Sequence, residues 1–379
     1  MTKQLTTSQI VYATDGDRER WDHYVRKHHD SSLYHLFEWG NIIHRTYGHD
    51  RYYLMATRPA TGHGAEQSGI SSSETVGILP LIHLKSAIFG NCLVSMPFLD
   101  GGGVLADRSD VEEDLLSEAV ALGTRIGASR LEIRCDTAIA SCDEGSGIGA
   151  SCRFGPFAIA KQSNKVRMLL NLPESPKELF KSFKSKLRSQ INKPLREGCT
   201  TSTGGAELLD DFYRVFLVNM RDLGSPIHSK ALVNQVLKTF PERSRIVAVY
   251  MSGVPVAAAL VAGFNNVLRN PWASSDRRFS SISPNMLLYL RMLEFGCENG
   301  YRIFDFGRST PGEGTYRFKE QWGAASAPLN WYVMFLDGKV SDPNVATSKR
   351  FQLAARLWRR LPLAVTGFIG PWIRKQISL

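Results

Sequence analysis

Apolar residues follow helical spacing in some parts of the chain and strand-like runs in others, which predicts an α/β protein. Helical spacing occurs in 17–29, 36–47, 109–126, 207–221, 229–240 and 284–299. Runs rich in β-branched and aromatic residues, typical of strands, fill 51–57, 75–85, 91–97, 131–135, 165–172, 245–251, 254–264, 266–273, 302–306 and 328–336. The basic stretch 176–196 is predicted as one or two helices, with a break near Pro194.

The order of predicted elements repeats along the chain. In each half, hairpin strands precede a long helix that ends at a glycine, Gly127 or Gly300, and a strand beginning with arginine follows. The period of about 170 residues favours a duplicated domain over a short solenoid repeat. Two mixed sheets flanked by helices are therefore expected, with two unrelated α/β domains as the alternative. The Gly- and Ser-rich segment 136–155 suggests domains at 1–155 and 156–340, followed by a basic tail at 341–379.

Composition places the chain among globular proteins and its charge suggests polyanionic partners. Apolar residues make up 43% and charged residues 22% of 379 residues. No apolar run is long enough to span a bilayer, and the first residues lack a secretory signal, so a cytoplasmic protein is expected. The formal net charge of +10 points to phosphate groups, nucleic acid or an acidic membrane surface.

Neither the cysteines nor the histidines form a recognisable metal-binding pattern. The six cysteines are scattered without a CxxC pair, which is typical of reduced thiols in a large chain. Most histidines lie early in the chain, but none has the spacing of a known ligand motif. We therefore predict no metal.

Residues 301–323, YRIFDFGRSTPGEGTYRFKEQWG, form the most distinctive segment. A predicted strand runs into a loop at Gly307, and ligands of open α/β sheets collect beyond the carboxyl ends of strands. Asp305 could accept a proton from an amine. Arg308 and Lys319 could hold phosphate or stabilise an oxyanion. A surface loop with solvated charges remains the alternative.

Residues 180–198, FKSFKSKLRSQINKPLREG, carry cations without an intervening acid from Lys181 to Arg196. On a helix, Phe180, Phe183, Leu187 and Ile191 would share one face, and Lys181, Lys184 and Arg188 another. One face can pack while the other binds a polyanion. A solvated charged face would show the same pattern.

The segment from Lys349 to Leu379 combines seven Lys and Arg residues with interleaved tryptophan and phenylalanine, and it contains no acidic side chain. Basic residues with tryptophan anchors favour a segment at the surface of an anionic membrane leaflet. The alternative is a helix packed on the second domain.

Several segments together resemble the FemAB family of peptidoglycan-bridge aminoacyltransferases and their GNAT-like relatives. The chain is most similar to the FemAB-related proteins of PEP-CTERM/exosortase exopolysaccharide systems. The segments that carry the resemblance are LYHLFEWGNIIHRTYGH (33–49), VGILPLIHLKSAIFGNCLVSMPFLDGGGV (76–104), KSKLRSQINKPLREG (184–198), RDLGSPIH (221–228), GYRIFDFGRSTPGEGTYRFKEQWG (300–323) and the tail containing RLPL (360–363).

The resemblance implies two tandem GNAT-like domains that transfer an acyl or aminoacyl group to an amine of an envelope or exopolysaccharide precursor. The family's basic helix start and late Phe-Lys motif, which handle substrate and donor, match Lys186, Arg188, Lys193 and the pair Phe318 and Lys319. The expected catalytic residues are Lys319, Asp305 and Arg308. The expected substrate-binding residues are Lys184, Lys186, Arg188, Lys193, Trp39, His228 and Tyr316.

The donor stays open, and no permanently bound cofactor is expected. The chain lacks the long charged coiled-coil arm of some aminoacyl-tRNA users, and it also lacks the R/Q-x-x-G-x-G/A loop of acetyl-CoA-binding GNAT enzymes. Aminoacyl-tRNA, acyl-CoA and acyl-carrier protein are therefore all candidates. The acceptor would be a phosphate-bearing sugar or lipid-linked precursor, and the tail could rest on the inner face of the cytoplasmic membrane. The competing functions are an N-acyltransferase that makes N-acyl amino acids and a non-catalytic, membrane-associated assembly factor.

Overall fold

A computed structural model of the protein describes residues 8–59, 73–86, 88–140, 142, 147–152, 155–162, 164–339 and 349–378. The chain divides into two compact units. Unit 1 contains residues 1–163, 328–343 and 377–379, and unit 2 contains residues 164–327 and 344–376.

The described part of unit 1 is a mixed sheet with three α-helices. Its strands are β1 (Gln9–Tyr12), β2 (Asp50–Pro59), β3 (Ser73–Ser86), β4 (Gly90–Val94), β5 (Leu105–Ala106), β6 (Arg130–Cys135), β7 (Gly147–Cys152), β8 (Gly155–Gln162) and β16 (Asn330–Phe335). They lie in the order β1-β2-β3-β4-β6-β16-β8-β7, with β5 on β3. The helices are α1 (Arg18–Lys27), α2 (Phe37–Tyr47) and α3 (Ser109–Arg125).

Strand β16 belongs to unit 1 although it follows unit 2 along the chain. It pairs with both β6 and β8, and Trp331 lies opposite Arg134 on one side and Gln162 on the other. The observed units are thus discontinuous, whereas the sequence suggested continuous domains at 1–155 and 156–340. Local patterns predicted the strand itself, but its partners are set by pairing between distant segments.

The described part of unit 2 is a second mixed sheet with helices on both faces. Its strands are β9 (Val166–Asn171), β10 (Thr200–Gly204), β11 (Ser244–Met251), β12 (Val254–Phe264), β13 (Val267–Ser275), β14 (Ile303–Ser309) and β15 (Ala325–Pro328), in the order β10-β11-β12-β13-β14-β9-β15. The helices are α4 (Pro176–Ser182), α5 (Ser185–Arg196), α6 (Leu209–Leu223), α7 (Lys230–Thr239), α8 (Pro284–Glu298), α9 (Gly314–Glu320), α10 (Lys349–Trp358) and α11 (Leu363–Arg374).

Strand β12 shows why unit 2 needs helices on both faces. Its residues 255–264 are all buried, as expected for a central strand covered on both sides. Ala257, Ala259 and Val261 belong to the core beneath α8, and α6 also packs against this strand. The two helices therefore cover alternate side chains of one apolar strand.

The basic stretch after β9 breaks earlier than predicted. Phe183 and Lys184 adopt extended backbone angles and separate α4 from α5, while Pro194 lies inside α5. Pro194 has no amide proton, so α5 lacks one intrahelical hydrogen bond at this position. Phe183 instead directs its ring into the core, 5.3 Å from the ring of Trp322.

Each unit contains a parallel strand pair connected by a long helix, β4-α3-β6 in unit 1 and β13-α8-β14 in unit 2. The glycines that follow these helices, Gly127 and Gly300, have φ values of 69° and 74°. These left-handed angles suit the predicted glycine caps. The predicted fold class, two mixed sheets flanked by helices, is confirmed.

The structure bears on two further predictions, which concern membrane-spanning segments and the state of the cysteines. Among the described residues, no helix is both long and apolar enough to cross a membrane. Cys92, Cys135, Cys199 and Cys297 are free and buried, but Cys142 is disulfide-bonded. The prediction that every cysteine is a reduced thiol is therefore wrong for Cys142, because spacing along the chain does not reveal which thiols meet in space.

Candidate functional site

The parallel strands β13 and β14 of unit 2 pair at their start and then separate. Residues 267–269 pair with residues 303–305, and the described strands show no pairing with each other beyond that point. From there β13 stays with β12, where Ser275 lies opposite Ala257, and β14 stays with β9, where Ser309 lies opposite Val166. The carboxyl ends of two neighbouring parallel strands thus diverge, as at the ligand crevice of open α/β sheets.

A bulge at Gly307 shapes the end of β14. The register against β9 shifts between Asp305 and Arg308, and Gly307 has a φ of 74°, a left-handed angle that favours glycine. The irregular strand turns two carbonyl oxygens toward Lys319 on α9. The Lys319 ammonium donates to the oxygens of Gly307 and Arg308 at 3.1 and 2.8 Å.

Lys319 therefore places a buried positive charge at the divergent end of β14. Lys319 belongs to the short helix α9. The preceding residue, Phe318, packs edge-on against Tyr289, with ring centroids 4.9 Å apart. Lys319 is only 7% exposed. A cation with few water neighbours interacts more strongly with developing negative charge than an exposed one.

Asp305 is part of a buried charge cluster on three adjacent strands. One carboxylate oxygen accepts from Nε and Nη2 of Arg167 at 3.1 and 2.9 Å, and from Nη1 of Arg269 at 2.8 Å. The other accepts from the amide of Gly307 at 2.9 Å. All three side chains are less than a tenth exposed. The Asp305 carboxylate thus accepts four hydrogen bonds, three of them from guanidinium groups, and its predicted role as a proton acceptor stays a prediction.

Tyr289 on α8 connects the two diverging strands. Its ring stacks on Phe306 of β14, with centroids 5.5 Å apart, and its hydroxyl forms a hydrogen bond with Asn270 of β13. Burial raises the pKa of Tyr289 to about 12, an effect that this hydrogen bond partly offsets. The tyrosine therefore stays protonated near neutral pH. Sequence analysis missed it because a tyrosine inside an apolar helix carries no local sign of chemistry.

Two buried polar groups near Lys319 lack protein partners. The hydroxyl of Ser309, at the end of β14, and Nε1 of Trp322, just after α9, have no hydrogen-bond partner in the described structure. Their residues are 4% and 2% exposed. Buried polar atoms normally find a partner, so each fits a position where a ligand or a water molecule binds.

Helix α5 supplies the cations predicted to hold a polyanion. Leu187 and Ile191 are buried in the core with α8, as the predicted apolar face requires. Lys184, Lys186 and Lys193 are exposed and Arg188 is half-buried. In the part of the chain that the structure describes, these four side chains form no ion pair. They can bind a phosphate without first breaking a protein contact.

The start of α5 lies close to α9. Phe183, directly before Lys184, packs against Trp322, and the amide of Trp322 donates to the carbonyl of Lys319 at 3.1 Å. Unit 2 therefore brings the basic start of α5, Lys319 and the end of β14 into one region. Arg308, half-buried, and Tyr316, packed on the same core, belong to it as well.

His228 and Trp39 lie elsewhere. His228 is buried between α6 and α7, where Nε of Arg374 donates to its Nε2 at 3.1 Å and its ring packs on Trp272. Burial and the charge of Arg374 hold the pKa of His228 well below its usual range. It is a packing residue behind β13. Trp39 lies in unit 1, where it is 1% exposed and packs edge-on against Tyr34. The roles of both side chains in substrate binding remain predictions.

One group of possible metal ligands occurs in the described residues. Single ligand atoms of His28, His29 and Asp30 lie within 4.8 Å of one another. These consecutive residues follow α1 in unit 1, and His29 already pairs with Asp30 at 3.1 Å. The absence of a metal remains a prediction.

Residues 181–320 match the family model described as "Acetyltransferase (GNAT) domain". FemX is similar in structure at 14% identity, with a TM-score of 0.61 over 87% of this chain and 98% of FemX. L-PGS from Bacillus licheniformis is similar at 14% identity, with a TM-score of 0.51 over 91% of this chain and 98% of that one.

A tandem GNAT protein from the clavulanic acid biosynthesis pathway is similar at 11% identity, with a TM-score of 0.50 over 88% of this chain and all of that one. No curated protein sequence matches the chain. At these identities the structural neighbours establish a shared fold, and the family match covers the segment from α5 to α9. The chain is therefore an α/β protein of two GNAT-like units, and residues 181–320 match the family model of the GNAT acetyltransferase domain.

Proposed function

We propose that the protein transfers an acyl or aminoacyl group to an amine of a phosphate-bearing envelope or exopolysaccharide precursor. The observation that carries the proposal is the divergence of β13 and β14 next to the buried cation of Lys319. A GNAT-family domain spans these elements. The resemblance to FemAB-type aminoacyltransferases and the similarity to FemX support an amine acceptor in the envelope.

In this proposal the acceptor's phosphate binds Lys184, Lys186 and Arg188 at the start of α5. The amine of the same acceptor then lies near the end of β14. The amine attacks the carbonyl carbon of an activated ester or thioester. The carbon–oxygen or carbon–sulfur bond of the donor breaks as the amide forms, and the amine's proton leaves with the expelled group. Positioning of the two substrates supplies much of the rate, up to about 7–11 kcal/mol of the barrier.

Lys319 stabilises the negative charge that develops on the carbonyl oxygen or on the leaving group. Asp305 holds the bulge that orients the Lys319 site, because its carboxylate binds the amide of Gly307. Tyr289, which remains protonated, donates its proton to the leaving group and takes up the proton that the attacking amine releases, so that one proton in total passes from the amine to the expelled group. Arg308, next to the bulge, adds positive charge for a phosphate of donor or acceptor.

The experiment offers three donors to the purified protein: aminoacyl-tRNA, acyl-CoA and acyl-carrier protein. Each is combined with nucleotide-linked amino sugars, and product is detected by intact mass. We expect transfer from one donor class, and a Lys319→Ala variant to lose about 10²–10³ in turnover. Lys238→Ala, which removes an exposed lysine on α7, is the matched control and should keep wild-type turnover.

Three results would contradict the proposal. Wild-type turnover in Lys319→Ala would remove the assigned role of this cation. Tight binding of phosphate-bearing precursors without transfer from any of the three donors would favour a non-catalytic assembly factor instead. Transfer to a free amino acid, but not to amino sugars, would favour the N-acyltransferase alternative.

A further inference from the structure

Helices α10 and α11 carry an exposed apolar surface, called here the tail surface. It consists of Phe368, Trp372, Leu353, Leu357 and Val365, which are 79%, 66%, 58%, 57% and 39% exposed. Val365, Phe368 and Trp372 follow one face of α11, and Leu353 and Leu357 are one turn apart on α10. Single exposed apolar residues are ordinary, but five on two successive helices indicate an interaction surface.

The packing of α11 fixes this surface outward. Thr366, Gly370 and Arg374 form the opposite face of the helix and are buried. A β-carbon on Gly370 would lie 3.0 Å from a side-chain carbon of Ile227, so the helix sits close against unit 2. The bond from Arg374 to His228 anchors its end. Turning Phe368 and Trp372 inward would break this buried contact.

The two helices that carry the tail surface are also cationic. No acidic side chain occurs in the described segment 349–378. Arg356, Arg359 and Arg360 are exposed and form no ion pair with any described residue. The ammonium of Lys375 lies 4.5 Å above the ring of Trp372.

This combination selects one class of partner. Anionic lipid headgroups attract lysine and arginine, while the acyl boundary accepts phenylalanine and leucine. Tryptophan with a neighbouring cation is typical of the headgroup level. A second copy of the chain would set like charges against each other, which disfavours self-association through the same surface.

We propose that the tail surface docks the protein on an anionic lipid bilayer, with α11 lying in the interface plane and Phe368 and Trp372 inserted at the headgroup–acyl boundary. The proposal is independent of the proposed function, because it requires neither a donor nor transfer. Docking would hold unit 2 where lipid-linked phosphates occur.

The test is sedimentation with vesicles of phosphatidylcholine alone or with about 30 mol% phosphatidylglycerol. We expect binding to the anionic vesicles that weakens as salt rises. Phe368→Ser with Trp372→Ser should reduce binding at least about tenfold. Arg356→Gln with Arg359→Gln and Arg360→Gln should reduce it by about a hundredfold. All five side chains are exposed, so the variants should fold.

Two matched controls separate the tail surface from general effects. Leu195→Ser removes an apolar side chain that is 41% exposed on α5. Lys27→Gln with Lys177→Gln and Lys238→Gln removes three exposed cations outside the tail. Both should bind anionic vesicles like the wild type. Brominated lipid should quench the wild-type fluorescence more than that of Trp372→Phe, because Trp372 would reach the acyl boundary.

Equal binding to neutral and anionic vesicles, or binding unchanged in Phe368→Ser with Trp372→Ser, would overturn the proposal. So would a dimer in analytical ultracentrifugation that this double variant abolishes, because the surface would then join two copies. Equal quenching in the wild type and Trp372→Phe would exclude insertion of α11.

Discussion

Replacement of Asp305 tests whether its carboxylate positions the end of β14 or acts as a base. Asp305→Ala removes four hydrogen bonds and leaves Arg167 and Arg269, 8% and 6% exposed, facing each other. Removing one partner of a buried ion pair costs about 3–5 kcal/mol. Because two cations lose their shared anion, we expect the loss of unfolding free energy in Asp305→Ala to lie in this range.

Asp305→Asn is the more informative variant because the amide keeps the shape and one acceptor oxygen. Loss of charge-assisted hydrogen bonds should cost about 1.5–3 kcal/mol. Stability would be followed by urea denaturation, with hydrogen exchange of β13 and β14 to assign the loss to unit 2, since a protein of two units need not unfold in one step. The triple replacement of Asp305, Arg167 and Arg269 by Leu, Met and Met should be more stable than Asp305→Ala, because no charge is left buried.

Turnover separates the two roles. If Asp305 is a positioning residue, the turnover of Asp305→Asn should stay within about tenfold of the wild type at a temperature where the variant is folded. Loss of a general base would instead lower turnover by a factor of about 10²–10⁴. The reasoning fails if Asp305→Ala destabilises unit 2 by less than about 1 kcal/mol. It also fails if Asp305→Asn is as stable as the wild type but loses more than about a hundredfold in turnover.

Three further predictions concern α5, α8 and the loop before α7. Tyr289→Phe should keep the stack on Phe306 but lower turnover about tenfold or more with little change in the urea midpoint; unchanged turnover would remove it as a proton donor. His228→Gln should flatten the pH dependence of stability. The pKa of His228 is depressed in the folded protein, so below about pH 6.5 only the unfolded chain binds a proton at this residue. The free energy of unfolding of the wild type should therefore fall by up to about 1.4 kcal/mol per pH unit as the pH falls. Urea midpoints at pH 7, 6 and 5 measure this, and identical slopes in both proteins would refute it. Replacement of Lys184, Lys186 and Arg188 at the start of α5 by glutamine should raise the KM for a phosphate-bearing acceptor and weaken the salt dependence of that KM, while kcat changes little. An unchanged KM would exclude these residues from acceptor binding.

The types of most helices and strands, and the fold class, follow from local patterns in the amino-acid sequence. Helix α5 illustrates why: Leu187 and Ile191 recur one turn apart, so a helix is the conformation that buries both, and the structure buries both. The glycine after α8 likewise marks its end, because Gly300 can adopt the left-handed angle that closes a helix. Such signals lie within a few residues of the feature they specify.

The pairing of the strands and the contacts between buried polar groups became visible in the folded protein alone. Asp305 looked like a base at the end of a strand, but its partners Arg167 and Arg269 are 138 and 36 residues away in the sequence. The divergence of β13 from β14, the insertion of β16 into unit 1 and the outward face of α11 also depend on contacts between distant segments. Periodicity specifies which face of an element is apolar, but the partner of that face is chosen by packing and by the pairing of buried polar groups throughout each unit.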